Sequence, residues 1–179
     1  STMGAGLSTP DCRTSPKIHK VQLVATAFGP RIPGIGQAYH TSVVIDGIEY
    51  SFSAAGIVQN RGIQTHIPYR NTPEIFDCGM THVSGRTMRA ALRKDFQRNS
   101  YDLLRKNCNS FSECALYYLC GSHLKDEFRI LEKIGRTVDQ HTGFINVISG
   151  GYYRKNAAAN DFTTCVVEDG FRNLSVDDE

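Results

Sequence analysis

No uninterrupted apolar run in this chain reaches the 18 or so residues that a membrane-spanning helix needs. No secretory leader is read at its start, and no internal repeat or low-complexity block stands out. Excess charge is also lacking: 20 basic against 18 acidic side chains leave a net +2, which calls for no nucleic-acid partner. Paired metal-ligand cysteines are missing too. Only Cys78-x-x-x-His82 and Cys120-x-x-His123 approach the usual zinc spacing, so neither structural metal nor cofactor is expected. Six cysteines (12, 78, 108, 114, 120 and 165) in 179 residues are too sparse for a disulfide-stapled scaffold. Cys108, Cys114 and Cys120 are six residues apart, a spacing that scatters them around a helix axis and prevents bridging. A reducing compartment, cytosol or nucleus, follows.

The length suits one domain with extensions at both ends. Residues 1–19 are rich in small and polar residues and read as an N-terminal extension. If Met3 is the start, "MGAGLS" fits the N-myristoylation pattern, with Gly4 as acyl acceptor and Cys12 as a candidate second lipid site. One acyl chain gives only weak membrane association. Residues 20–142 hold the ordered domain. "KVQLVATAF" reads as a strand and "GPRIPGIGQ" as a loop. "AYHTSVVIDGIEYSFS" reads as a hairpin, because Asp46-Gly47 readily takes the positive φ of a tight turn. "GIQTHIPY" and "EIFDCGMTHV" are further strand candidates. The period then lengthens. Met88, Ala91, Leu92 and Phe96 mark a helix capped by Ser84, whose basic side chains read as solvated surface. A second helix begins near Cys108, buries Phe111, Cys114, Ala115 and Tyr118, and stops at Gly121. "DEFRILEKIG" reads as a third. Residues 143–179 read as a C-terminal extension of unassigned role.

Cys108 therefore stands at the first turn of a helix, where free N–H groups and the macrodipole favour negative charge. Such a place is expected to lower the thiol pKa and to expose a nucleophile. The Cys108 N–H, with Asn107, is a candidate oxyanion donor. A histidine is needed to carry the proton. Of the six, His19 falls at the edge of the N-terminal extension, His66 and His82 fall near weaker strands, and His123 and His141 follow polar sequence. His40 lies within the hairpin, on a rigid element suited to hold a catalytic group.

At these two places the sequence resembles the PPPDE family, the desumoylating isopeptidase-like cysteine peptidases. "YHTSVVIDGIEYSF" with "SAAGI" is similar to the family's histidine block through His40, Val43 to Ile45, Gly47, Glu49, Tyr50, Phe52 and Gly56. "YDLLRKNCNSFS" resembles its cysteine block through Tyr101, Leu103, Asn107, Cys108, Asn109 and Phe111, and "CGMTHVS" its connecting strand. The resemblance covers roughly residues 20–135. It implies an α+β, circularly permuted papain-like fold in which a small antiparallel sheet packs against helices. It also implies a Cys108–His40 dyad that removes ubiquitin-like modifiers such as SUMO or ubiquitin from their conjugates, without a cofactor. A lecithin:retinol acyltransferase-like acyl transfer or thioester hydrolysis is the alternative. There the cysteine is usually followed by Glu-His-Phe, whereas Asn109-Ser110-Phe111 follows here. A non-catalytic module that binds ubiquitin-like proteins is the third reading.

Overall fold

The computed structural model describes residues 16–135 and 153–159. Gly4, Cys12, His141 and Cys165 lie outside the described residues. Five strands form one antiparallel sheet: β1 (His19–Ile32), β2 (Gly36–Ile45), β3 (Ile48–Ser53), β4 (Gly56–Arg61) and β5 (Glu74–Thr81), in the spatial order β4-β3-β2-β1-β5. Three helices follow: α1 (Gly85–Leu92), α2 (Cys108–Cys120) and α3 (Ile130–Gly135). Together they make the α+β architecture that the sequence implied.

The Asp46-Gly47 turn takes the expected form, with φ of 50° and 78°. His19, expected at the edge of the N-terminal extension, opens β1 instead and is buried. Its Nδ1 lies 2.7 Å from Asp46 Oδ2, and this bond, with the Lys20 N–H, holds the Asp46 carboxyl below its usual range. The expected loop "GPRIPGIGQ" is mostly strand: β1 runs to Ile32, β2 starts at Gly36, and Pro33 to Ile35 form the turn. A register shift between Phe28 and Ile32 absorbs Gly29 and Pro30. The "GIQTHIPY" strand is not formed; a 3-10 turn, Gln64–His66, stands in its place, and β4 precedes it.

The sheet is buried on both faces. Val21, Leu23, Ala25, Val43, Ile45, Tyr50 and Phe52 meet Met88, Leu92, Phe96, Phe111 and Ala115 in the main apolar core. Residues of the opposite parity, Val24, Thr26, His40, Ser42, Val44, Glu49 and Ser51, are buried as well, and most of them are polar. The 3-10 turn roofs this second face, since His66 bonds both Thr26 and Ser42.

Helix α2 is sunk deeper than a one-sided stripe predicts: every residue from Cys108 to Leu116 is buried, while Tyr118 is only half-buried. Asn107 caps its start, accepting from the N–H groups of Asn109 and Ser110, and Ser110 Oγ accepts from the Asn107 N–H. Gly121, at φ 64°, ends it as expected. The third expected helix splits into a 3-10 turn, Asp126–Arg129, and α3.

Residues 153–159, read from sequence as part of an extension, pack on the domain. The Tyr153 hydroxyl and the Asn156 N–H donate to the buried carboxylate of Asp102, and the Asn156 amide donates to the carbonyls of Asn99 and Tyr101. The loop leading to Cys108 is thereby clasped from outside.

Candidate active site

Strands β2 and β3 pair only over Val43↔Tyr50 to Ile45↔Ile48, so β2 leaves its neighbour beyond Val43. The start of α2 lies against this opening. The Thr41 hydroxyl is 2.8 Å from Asn109 Oδ1 and 2.9 Å from Ser112 Oγ, which ties the residue after His40 to the residue after Cys108. Tyr69 links the two more closely. Its ring stacks on the His40 imidazole with centroids 5.1 Å apart, and its hydroxyl is near enough to the Cys108 thiol to feel its charge. Burial and the neighbouring thiol push the Tyr69 pKa up to about 12, so it stays protonated.

The thiol of Cys108 faces four donors: the peptide N–H groups of Thr41, Cys108 and Asn109, and the hydroxyl of Tyr101. Each favours the thiolate. Burial outweighs them, since Cys108 is 3% exposed, and its pKa is raised. The expectation that the helix end lowers this pKa is therefore overturned: helix-end stabilisation cannot replace the hydration lost by a sealed sulfur. His40, at 7% exposure, is shifted the other way, down to about 3, first by burial and then by His66, whose ring centroid is 4.6 Å away. The resting state therefore holds a neutral thiol and a neutral imidazole. A neutral imidazole can act as a base, whereas a preformed imidazolium is disfavoured here.

Asn107 uses its oxygen on the cap and its amide nitrogen on the Leu103 carbonyl, 2.8 Å away. Its part here is to fix the helix end. The Cys108 N–H is turned to its own thiol and to the Tyr101 oxygen. Asn109 is fully buried; its oxygen accepts from Thr41 and lies 3.7 Å from the Cys108 sulfur, while its amide nitrogen has no partner.

Sequence reasoning gave no role to three groups here: Glu49, Thr65 and His66. The His40 Nε2 is 2.8 Å from Thr65 Oγ1. Thr65 Oγ1 donates to Glu49 Oε1 at 2.6 Å, and the Thr65 N–H donates to Glu49 Oε2 at 3.0 Å. Glu49 is fully buried. One signal for it was present: a single acid within the otherwise apolar and small-polar run "IEYSFS" must find donors if that strand is covered on both faces. Thr65 and His66 carried no such signal.

The metal-spacing pairs stay apart in role. His123 pairs with the buried Glu113 at 2.8 Å, and no group of three or more metal-ligating side chains converges among the described residues.

Comparison with known proteins places this arrangement. The family model described as "PPPDE putative peptidase domain" matches residues 9–148. A relative, the DeSI-like protein sdu1 of Schizosaccharomyces pombe, is 29% identical over 110 residues, which make up 57% of this chain and 54% of the relative. The chain thus spans about half the length of the curated relative it matches. With its family model covering most of the sequence and its antiparallel sheet backed by a cysteine-headed helix, the chain belongs to the PPPDE peptidase family.

Proposed function

We propose that this protein is a thiol isopeptidase that hydrolyses isopeptide or C-terminal bonds of ubiquitin-like modifiers, with Cys108 as nucleophile and His40 as general base and acid. The observation that carries it is the opening between β2 and β3, where the Thr41–Asn109 bond ties the residue after His40 to the residue after Cys108 and Tyr69 stacks on His40. In the proposed cycle His40 takes the thiol proton as sulfur bonds to the carbonyl carbon. The oxyanion lies against the N–H groups of Cys108 and Thr41. The C–N bond then breaks as His40 gives that proton to the departing lysine or peptide amine. Water, deprotonated by His40, cleaves the thioester, and the proton returns to sulfur.

Support comes from family membership, from the name of the relative, and from the buried dyad residues. The test sets ubiquitin and SUMO C-terminal amide reporters beside a fatty-acyl thioester reporter, with the parent protein and Cys108→Ala. Turnover of a modifier reporter that is lost in Cys108→Ala supports the reading. Turnover of the acyl thioester alone moves the protein to the lipid-chemistry alternative. Modifier binding without turnover in the parent makes it a binding module.

A further inference from the structure

The buried face of the sheet holds a chain of hydrogen bonds, Glu49–Thr65–His40, that the dyad alone does not require. A threonine hydroxyl has one proton. The Glu49 carboxylate has none to give, so the Thr65 hydroxyl donates to Glu49 Oε1, 2.6 Å away. The same oxygen lies 2.8 Å from His40 Nε2 and, its own proton committed, can only accept there. The imidazole proton must then sit on Nε2. Nδ1 is left as a bare lone pair, with no hydrogen bond among the described residues.

His66 does not compete for this role. Thr26 holds its Nδ1 at 2.7 Å and Ser42 its Nε2 at 2.8 Å, whereas Glu49 Oε1 is 3.6 Å from that nitrogen. The short bond from the carboxylate goes to Thr65. The second bond, from the Thr65 N–H to Glu49 Oε2, makes the grip bidentate and fixes both residues.

We propose that Thr65 and Glu49 are positioning residues that hold His40 in its Nε2–H tautomer, so that Nδ1 is the atom that takes the Cys108 proton. This rests on the peptidase reading. As Nδ1 gains the thiol proton, Nε2 keeps its own and donates more strongly to Thr65, whose hydroxyl stays bonded to Glu49, so the carboxylate stabilises the imidazolium while the charge remains on His40. No atom of the chain changes partners during the cycle. Thr65 thereby occupies the place between base and acid that a directly bonded carboxylate or amide fills in simpler triads.

The experiment compares Thr65→Ser, which keeps the hydroxyl, with Thr65→Val, which keeps the shape and loses it. Thr65→Ser is expected to retain parent kcat, and Thr65→Val to lose about 10- to 100-fold in kcat with KM little changed. Nitrogen-15 NMR of histidine-labelled protein, assigned with His40→Gln, gives the second readout. Nε2 of His40 is expected to carry the proton in the parent and in Thr65→Ser, and the two tautomers to mix in Thr65→Val. A proton on Nδ1 in the parent, or a Thr65→Val protein with parent kcat and an unmixed Nε2–H tautomer, overturns the proposal. If the parent hydrolyses no reporter and Cys108→Ala changes nothing, the peptidase reading fails. The NMR result then decides the tautomer alone.

Discussion

One face of the sheet buries Val21, Leu23, Val43, Ile45 and Phe52 against α1 and α2, whereas the other buries Thr26, His40, Ser42 and Glu49 beneath the turn at residues 64–66. The first is held by area removed from water and by close contacts such as the edge-on rings of Phe52 and Phe96, with centroids 5.0 Å apart. The second gains little from area. Its groups stay buried because nearly every one has a partner, and each bond spans 16 to 40 residues of sequence. The apolar face fixes the fold, and the polar face fixes the orientation and protonation of one histidine.

Breaking each face should therefore fail differently. The largest effect belongs to the apolar side: Phe52→Ala should lower stability by about 3–5 kcal/mol in urea unfolding, because it leaves a ring-sized void. Acid should break the polar side next. His40 is held neutral down to about pH 3, while an unfolded histidine protonates near 6.5, so the unfolded chain binds protons first. Stability present above pH 6.5 is lost as pH falls from there toward 3, at up to about 1.4 kcal/mol per unit for this one group. Melting temperatures across that range check it, and His40→Gln should flatten the slope. A smaller loss, about 1–3 kcal/mol, is expected of His66→Leu, which strands the Thr26 and Ser42 hydroxyls. Adding Thr26→Val and Ser42→Ala should return part of that loss, as measured in the same unfolding assay, if partnering and not area governs this face. Smallest is Gly47→Ala at φ 78°, about 1 kcal/mol by the same measurement.

The apolar face was legible in the sequence because its rules are local. Asp46-Gly47 announced the hairpin with the strand-like runs of β2 and β3 on either side, and Ser84 and Gly121 marked helix ends. The placement of Cys108 at a helix start and of His40 on a hairpin strand was legible too. The polar face was not. Thr65 and His66 sit in a segment that reads as strand, and only the divergence of β2 from β3 makes room for a 3-10 turn there. The direction of the Cys108 pKa was misread for the same reason. A helix start is visible in sequence, but the surroundings that hold Cys108 at 3% exposure include Thr41 and Tyr69, far away along the chain.

That seal also bears on the chemical lifetime of the thiol. Peroxide and similar oxidants attack the thiolate and reach it through solvent. A sulfur kept protonated and almost wholly enclosed offers them neither, so Cys108 is shielded from oxidation in the folded protein. The enclosure that raises the Cys108 pKa also keeps oxidants from its sulfur.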